Sequence, residues 1–262
     1  MLPRAEYRAF AEHLADLARP IAKRYFRSAL TVIDKPDATP VTLADQEIEA
    51  AVRSAIEARY PEHGVIGEEH GSIRAEAETV WVIDPIDGTK AFTCGKPQFG
   101  TLIALWHRGE PLLGLIDQPI TGERWIGVRG QGAWFNGAPM RVRPRAECLA
   151  EAIVLMSAPD LYDDGHETTL ARIRGAVKGI YYGGDCYNYA MVAAGHADLV
   201  IERGLKVVDY AALVNPIEEA GGVVCDWAGQ AFRLTSDGTI VAAASRALAE
   251  EALALLAEAR GA

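Results

Sequence analysis

The segment 81–89 constrains the fold most strongly, because an apolar strand there leads directly into two aspartates. Asp84 and Asp87 follow the apolar run and are three positions apart, with Pro85 and Ile86 between them. Proline removes a backbone donor and stiffens the turn, so the two carboxylates can converge on one point with the Ile86 carbonyl between them. The fold must therefore contain a strand that delivers carboxylates from its C-terminal end.

Such a group of oxygens is suited to a hard cation. Mg²⁺ takes an octahedral shell of oxygen ligands and keeps several waters, so these ligands suit it better than they suit zinc. Gly88 and Thr89 begin a predicted helix, whose free N–H groups could receive a phosphate. The alternative interpretation is that Asp84 and Asp87 form an ordinary turn or helix N-cap.

Further acidic residues are predicted near the same point. Glu68 and Glu69 end the preceding predicted strand, residues 64–67, at the same sheet edge as the two aspartates. Asp45 lies in the first turn of a predicted helix that Thr42 would cap. Charges within ~4 Å of one another cost several kcal/mol at low effective dielectric, so a buried cluster of this kind needs cations.

The order of elements predicts a layered α/β fold. Residues 4–27 have the periodicity of an amphipathic helix, and residues 101–143 predict an antiparallel meander broken by Gly and Pro. From residue 153 onward strands and helices alternate. The predicted helices of this second part cover residues 160–174, 187–194, 209–220 and 246–260. We predict one compact unit over 1–262, with a weak boundary near 143–151 between a metal-site half and a substrate-specificity half.

Composition excludes several classes of function. The formal net charge of −10 argues against nucleic acid as a partner, because phosphate backbones are bound by clustered Lys and Arg. No apolar window approaches the roughly 18 residues of a membrane span, and the N-terminus lacks the pattern of a secretory signal, so we expect a cytoplasmic protein without a membrane partner. The widely spaced Cys94, Cys148, Cys186 and Cys225 form no C-x-x-C pair, which argues against zinc and redox sites.

An ordered set of motifs between about Lys35 and Ser245 resembles the inositol monophosphatase-like, metal-dependent and typically lithium-sensitive sugar phosphatases. The set comprises Gly67-Glu68-Glu69, Asp84-Pro85-Ile86-Asp87-Gly88-Thr89, Gly132-Ala133-Trp134-Phe135-Asn136-Gly137, Val208-Asp209-Tyr210-Ala211-Ala212 and Glu219-Ala220-Gly221-Gly222. The resemblance implies the layered α-β-α-β-α sugar-phosphatase fold and a homodimer.

The resemblance also implies roles for individual residues. The implied ligands of two or three Mg²⁺ ions are Glu68, Asp84, Asp87, Asp209 and the carbonyl of Ile86. Thr89 together with Asp45 is implied to orient a water that Mg²⁺ makes nucleophilic. The family usually has Trp immediately before the late aspartate, whereas this chain has Val208, so packing differs there although the ligand is kept. Lys35 could balance the acidic charge or be an ordinary exposed lysine.

Motifs in the second half of the sequence indicate which substrate the protein acts on. Gly184-Asp185-Cys186-Tyr187, Ala193-Ala194-Gly195-His196 and Gly204-Leu205-Lys206 resemble the histidinol-phosphate phosphatase branch of this family. The inositol-specific branch usually has a small residue in place of Asp185. A carboxylate facing the substrate suits the cationic amino group of L-histidinol phosphate better than a neutral polyol. By resemblance Glu202 contacts the alcohol, and the further predicted substrate contacts are Gly88, Thr89, Gly183 and Gly184.

The predicted function is Mg²⁺-dependent hydrolysis of L-histidinol phosphate to L-histidinol and phosphate, a step of histidine biosynthesis. One alternative is another phosphatase of the family, acting on inositol 1-phosphate, a sugar bisphosphate or a nucleotide 3′-phosphate. An alternative of another class is a binding partner of the transcription machinery, against which the complete set of acids argues. For Asp185 the alternative role is that of N-cap of the helix that follows it.

Overall fold

The computed structural model of the protein describes residues 2–28, 32–34, 40–163 and 165–260. The α-helices are α1 (Arg4–Tyr25), α2 (Leu43–Arg59), α3 (Thr89–Thr93), α4 (Glu167–Ala176), α5 (Cys186–Ala193), α6 (Val207–Tyr210), α7 (Val214–Glu219) and α8 (Arg246–Arg260). Short 3₁₀ turns cover Leu149–Glu151 and Pro159–Tyr162.

The strands form two large sheets and one short hairpin. The hairpin consists of β1 (Val32–Asp34) and β2 (Pro40–Thr42). The strands of the first large sheet are β3 (Gly64–Gly67), β4 (Ser72–Ile73), β5 (Thr79–Asp87), β6 (Gly100–His107), β7 (Glu110–Gln118), β8 (Glu123–Val128), β9 (Gly132–Phe135) and β10 (Ala138–Met140). The strands of the second are β11 (Ile153–Met156), β12 (Gly179–Tyr182), β13 (Leu199–Glu202), β14 (Val223–Cys225) and β15 (Ile240–Ala243).

The first sheet is ordered β10-β9-β8-β7-β6-β5-β3-β4 and contains the predicted meander. Neighbouring strands run antiparallel except β3 and β5, which run parallel with Gly67 opposite Ile83. Because parallel strands end at the same edge of a sheet, Glu68 and Asp84 follow these two positions side by side. This pairing produces the convergence of acidic residues that the sequence predicts.

Alternate residues of β5 contribute to different apolar cores. Trp81 and Ile83 pack with α1 and α2, whereas Val82 packs on the opposite face with α5 and α7. The second sheet, ordered β12-β11-β13-β15-β14, covers the other side of α5 and α7, and its outer face packs against α4 and α8. Both faces of β5 are thus covered, which explains its nearly continuous apolar sequence. The predicted α-β-α-β-α layering is confirmed.

Two predicted helices are wrong in extent. The helix predicted over 160–174 is a 3₁₀ turn followed by α4, and Gly165 between them has φ of +85°, a conformation that interrupts a helix. The helix predicted over 209–220 is divided into α6 and α7. Pro216 has no N–H to donate to the carbonyl of Ala212, which weakens the turn between the two helices and favours their separation.

The segment 141–152 joins β10 of the first sheet to β11 of the second. It includes the boundary predicted near 143–151, and the division into two halves stays a prediction. In the described part of the chain no helix combines the length and apolarity that crossing a membrane requires. The four cysteines are free thiols.

Candidate active site

The C-terminal end of β5 is an irregular strand segment. Asp84 and Asp87 both pair with β6, but the register shifts between them. The hydroxyl of Thr101 donates a 2.8 Å hydrogen bond to the carbonyl of Pro85, and Oδ1 of Asp84 accepts one of 3.0 Å from the backbone N–H of Ile86. The turn interpretation was therefore partly correct for Asp84, since one of its oxygens does stabilise this bend.

Three carboxylates meet at this point. Asp84, Asp87 and Asp209 each present an oxygen within 4.8 Å of the others. Asp209 is held by the backbone N–H of Lys206, which donates to its Oδ2 at 2.7 Å. The ammonium of Lys206 lies 3.9 Å from Oε1 of Glu68. Three of the four carboxylates implied by the resemblance thus form one group that could hold a cation, and Glu68 lies beside it.

Burial and mutual repulsion make this group electrostatically unfavourable without a cation. Burial raises the pKa of Asp84 well above its usual range, and the charges of neighbouring acids including Glu68 and Asp45 raise it further. Burial followed by the charge of Asp185 raises the pKa of Asp87, and burial is the main cause that raises the pKa of Asp209 to about 6. A bound cation would favour the ionised carboxylates.

A cavity of about 420 Å³ opens at this acidic group. Most of the predicted site residues line it: Glu68, Asp84, Ile86, Asp87, Gly88, Thr89, Gly183, Gly184, Asp185 and Asp209. Asp45 and Glu202 are not among its lining residues. The wall also contains Ser157, Lys90 and Lys96, which were not predicted from the sequence. Ser157 directly follows β11, so its position at a strand end was a usable signal, whereas nothing distinguished the two lysines.

Thr89 is the first residue of α3 and does not act as its cap. The N-cap position is Gly88, with φ of +86°, and the Thr89 hydroxyl donates a 3.0 Å hydrogen bond to the carbonyl of Ile86. The hydroxyl is therefore fixed beside the carbonyl that the resemblance implies as a metal ligand. Binding of phosphate by the N–H groups of these residues stays a prediction.

Asp185 precedes α5 but its side chain does not cap that helix. Its backbone has φ of +44°, and its side chain makes no capping hydrogen bond. Oδ2 of Asp87 instead accepts a 2.6 Å hydrogen bond from the backbone N–H of Cys186. The carboxylate of Asp185 lies over Gly88, where a Cβ would be 2.8 Å from its Oδ2. Burial raises the pKa of Asp185, while a Ser157 hydrogen bond and Lys90 act in the opposite direction. Asp185 thus occupies the N-cap position of α5, as the alternative predicts, but its side chain does not act as a cap.

Glu202 ends β13 in a buried position next to the cavity. Its carboxylate accepts hydrogen bonds from the backbone N–H of Ser157 and, at 2.6 Å, from the hydroxyl of Tyr189. Burial raises its pKa to about 7. It lines a smaller cavity of about 130 Å³, which Asp87, Asp185 and Asp209 also line.

Two acids of α2, Asp45 and Glu49, are buried and do not line the cavity. Asp45 is buried, and its charge contributes to the raised pKa of Asp84. Glu49, four residues later, is fully buried and was missed by sequence analysis, although its spacing from Asp45 places it on the same helix face. Lys35 lies outside the described residues, and for Thr42 only the backbone is described, at the end of β2.

Comparisons with known proteins agree on one family. The family model described as "Inositol monophosphatase family" matches residues 4–260. The bifunctional phosphatase IMPL2 of Arabidopsis thaliana, a chloroplastic protein, is 46% identical over 238 residues, which are 90% of this chain and 68% of that protein. A histidinol-phosphatase of Chlorobaculum parvum is 36% identical over 236 residues, 88% of this chain and 90% of that one.

The solved structures agree with this result. An inositol monophosphatase from Zymomonas mobilis matches with a TM-score of 0.89 and 41% identity, over 98% of this chain and 100% of that chain. The names of these relatives agree on a phosphatase and differ in the substrate.

Proposed function

The chain belongs to the inositol monophosphatase family, and from this premise we propose that it is a Mg²⁺-dependent phosphomonoesterase that hydrolyses L-histidinol phosphate. As a member of a phosphatase family it is a hydrolase, and enzymes of the family act on small phosphorylated substrates. The products would be L-histidinol and phosphate, a step of histidine biosynthesis. The cytoplasmic location and the homodimer expected from the sequence belong to the same proposal.

The donor set of the acidic group supports Mg²⁺ as the metal. Asp84, Asp87 and Asp209 offer carboxylate oxygens, and the carbonyl of Ile86 adds another oxygen at the cavity wall. Oxygen donors of this kind are those that Mg²⁺ prefers. When bound, Mg²⁺ supplies positive charge that stabilises the phosphate group and activates water for attack. We assign Glu68, which lines the same cavity and whose charge raises the pKa of Asp84, as the remaining carboxylate ligand.

We assign the orientation of the attacking water to Thr89, supported by Asp45. The Thr89 hydroxyl donates its proton to the Ile86 carbonyl, which leaves its oxygen lone pairs able to accept a hydrogen bond from water. Asp45 is buried and lies outside the cavity lining, so we assign it an electrostatic role behind the wall rather than contact with the substrate.

The observation that supports a cationic substrate is the carboxylate of Asp185. It faces the cavity over Gly88, it is not used to cap α5, and its backbone adopts a conformation that L-residues rarely adopt. Such strain is retained where the surroundings require a particular side-chain position. Burial raises the pKa of this carboxyl, and the Ser157 hydrogen bond and the charge of Lys90 offset only part of that rise, so a further positive group would favour the ionised form. The ammonium group of histidinol is the partner that this carboxylate suits.

Glu202 is assigned an indirect role. Ser157 and Tyr189 donate to its carboxylate, so it can fix the backbone of Ser157 while that residue lines the cavity. The contacts of Gly183 and Gly184 with the substrate are proposed from their positions on the cavity wall.

The decisive experiment compares two substrates and two variants in the presence of Mg²⁺. Wild type should turn over L-histidinol phosphate faster than inositol 1-phosphate. Asp185→Ala should lower kcat/KM for histidinol phosphate roughly ten- to a hundredfold, since a hydrogen bond to a charged group is worth about 1.5–3 kcal/mol. The matched control is Asp163→Ala, which changes an exposed aspartate outside the cavity lining and should leave both substrates unaffected.

Other outcomes would support the alternatives. Faster turnover of inositol 1-phosphate, or equal losses for both substrates in Asp185→Ala, would favour a phosphatase of the same family with a neutral substrate. Absence of turnover of any phosphomonoester with Mg²⁺ would favour the binding role in transcription that the sequence leaves open.

A further inference from the structure

Glu49 is a fully buried carboxylate that the proposed reaction does not use. It lies on α2, four residues after Asp45, and it does not line the cavity. Burying a carboxylate costs several kcal/mol unless its charge is compensated and its oxygens are hydrogen-bonded. The contacts of Glu49 therefore require an explanation.

These contacts are directed at the turn that follows β3. Oε2 of Glu49 accepts a 2.7 Å hydrogen bond from the backbone N–H of Glu69, and Oε1 accepts one of 3.0 Å from that of His70. Nη2 of Arg53 donates to Oε1 at 2.8 Å and also to the carbonyl of Gly71 at 2.6 Å. The turn after β3 is therefore fastened to α2 at three backbone positions.

The contacts between α2 and this turn restrain Glu68, which begins the turn and lines the cavity. Gly67 precedes it, and a Cβ at that position would overlap Oε1 of Glu49, so the carboxylate occupies the space of a side chain. Glu49 thus restrains Glu68 on both sides along the chain. It accepts hydrogen bonds from the next two amides, and it is in close contact with Gly67, the preceding residue.

Stability alone does not account for this arrangement. Nε and Nη1 of Arg53 are buried and have no hydrogen-bond partner among the described residues, which is unfavourable for a guanidinium. A neutral side chain could satisfy one backbone N–H at lower cost. A carboxylate can accept from both amides of the turn at once, which fixes their direction.

We propose that Glu49 is a positioning residue, which holds the turn bearing Glu68 and thereby sets the affinity of the acidic site for Mg²⁺. This inference rests on the proposed Mg²⁺ site. Supporting groups behind metal ligands typically change metal affinity by about 10–100-fold when they are removed.

The first test measures Mg²⁺ binding to the full chain by titration calorimetry. Glu49→Gln keeps the size of the side chain but replaces one acceptor oxygen by an amide that cannot accept from the turn. It should raise the Kd for Mg²⁺ by about 10–100-fold. A variant that binds Mg²⁺ with the wild-type Kd, whatever its melting temperature, overturns the proposal.

Asp117→Asn is the matched control. Asp117 is also fully buried and bound by two arginines, Arg19 and Arg124, but it does not line the cavity. Its loss should lower the melting temperature while the Kd for Mg²⁺ stays within about twofold of wild type. If both variants weaken Mg²⁺ binding equally, the effect is general destabilisation and the proposal is wrong. If wild type itself binds no Mg²⁺, the proposed metal site fails instead.

A second measurement needs no variant. Coupling between Glu49 and the metal site is reciprocal, so saturating Mg²⁺ should slow hydrogen exchange of the Glu69 and His70 amides in wild type. The control amide is that of Arg145, which donates to the buried Asp198 at 3.1 Å outside the cavity lining. Equal slowing at all three amides, or none at the first two, overturns the proposal.

Discussion

The backbone N–H of Cys186 donates a 2.6 Å hydrogen bond to Oδ2 of Asp87, so the acidic end of β5 provides a cap for α5. This contact connects the first sheet to the helix layer between the two sheets. Asp185, at the N-cap position of α5, makes no capping hydrogen bond with its side chain, and its carboxylate lies over Gly88 at the cavity wall.

Asp185→Gly should separate stability from activity. Glycine adopts φ of +44° without strain, and a non-glycine residue in such a conformation costs about 1–3 kcal/mol. The variant should therefore keep or raise the free energy of unfolding in urea, measured in chelator, while kcat/KM for histidinol phosphate falls at least about tenfold. Parallel losses of stability and activity would show that Asp185 serves the fold rather than the substrate.

Removal of metal should abolish activity. The proposed reaction needs Mg²⁺ to activate water, so excess chelator should eliminate turnover and restored Mg²⁺ should recover it. Without a cation the ionised Asp84, Asp87 and Asp209 only repel one another. Asp209→Asn should reduce kcat by orders of magnitude and remove the rise in melting temperature that Mg²⁺ causes in wild type. Full activity in excess chelator would contradict the metal assignment.

Thr89→Ala should impair the chemical step more than the fold. The hydroxyl bonds to the Ile86 carbonyl and not to the free N–H groups of α3, so its loss removes one partly buried hydrogen bond worth about 1 kcal/mol. We expect a modest decrease in melting temperature and a decrease in kcat of about a hundredfold or more. Thr89→Ser keeps the hydroxyl and is the control. A near-normal kcat in Thr89→Ala would rule out the assigned role.

Glu202 should make the metal-free protein less stable as the pH rises. Burial raises its pKa from 4.5 to about 7 in the folded state. Between these values the folded protein holds a proton that the unfolded chain has lost, so the free energy of unfolding falls with increasing pH. Glu202→Gln should remove the part of this fall that is due to Glu202, so its free energy of unfolding should exceed that of wild type by up to about 3 kcal/mol above pH 7 and by nothing well below pH 4.5.

Urea unfolding in chelator at pH 4.5 and pH 8 would measure this difference. A constant difference between the two proteins at both values would exclude a raised pKa of Glu202 as its cause.

The sequence predicted the grouping of the acidic residues better than it predicted the extent of the helices near them. Asp84 and Asp87 were recognisable because an apolar strand ends in polar residues, and this signal is local. The division between α6 and α7 was missed because helical periodicity continued through Pro216, whose missing N–H matters only once Ala212 lies in the preceding turn. Pro216 was therefore a local signal of an interruption, and the helical periodicity on both sides of it outweighed that signal in the prediction.

The role of Asp185 illustrates the limit of local patterns. A residue directly before a helix is a typical N-cap, and the sequence left that alternative open. The competing cap came from Asp87, which is distant in sequence, so no local pattern could decide between them. Glu49 was missed for a related reason, since its partners, the amides of Glu69 and His70, lie on another element.

The acidic group combines segments that are far apart along the chain. Asp84 and Asp87 belong to β5, whereas Asp209 belongs to α6, and their oxygens approach within 4.8 Å only after the elements between the sheets have packed. A cation held by all three acts as a reversible cross-link between early and late parts of the chain. Opening the layers would require its release, so the lifetime of the folded protein against proteolysis should lengthen with the concentration of free Mg²⁺.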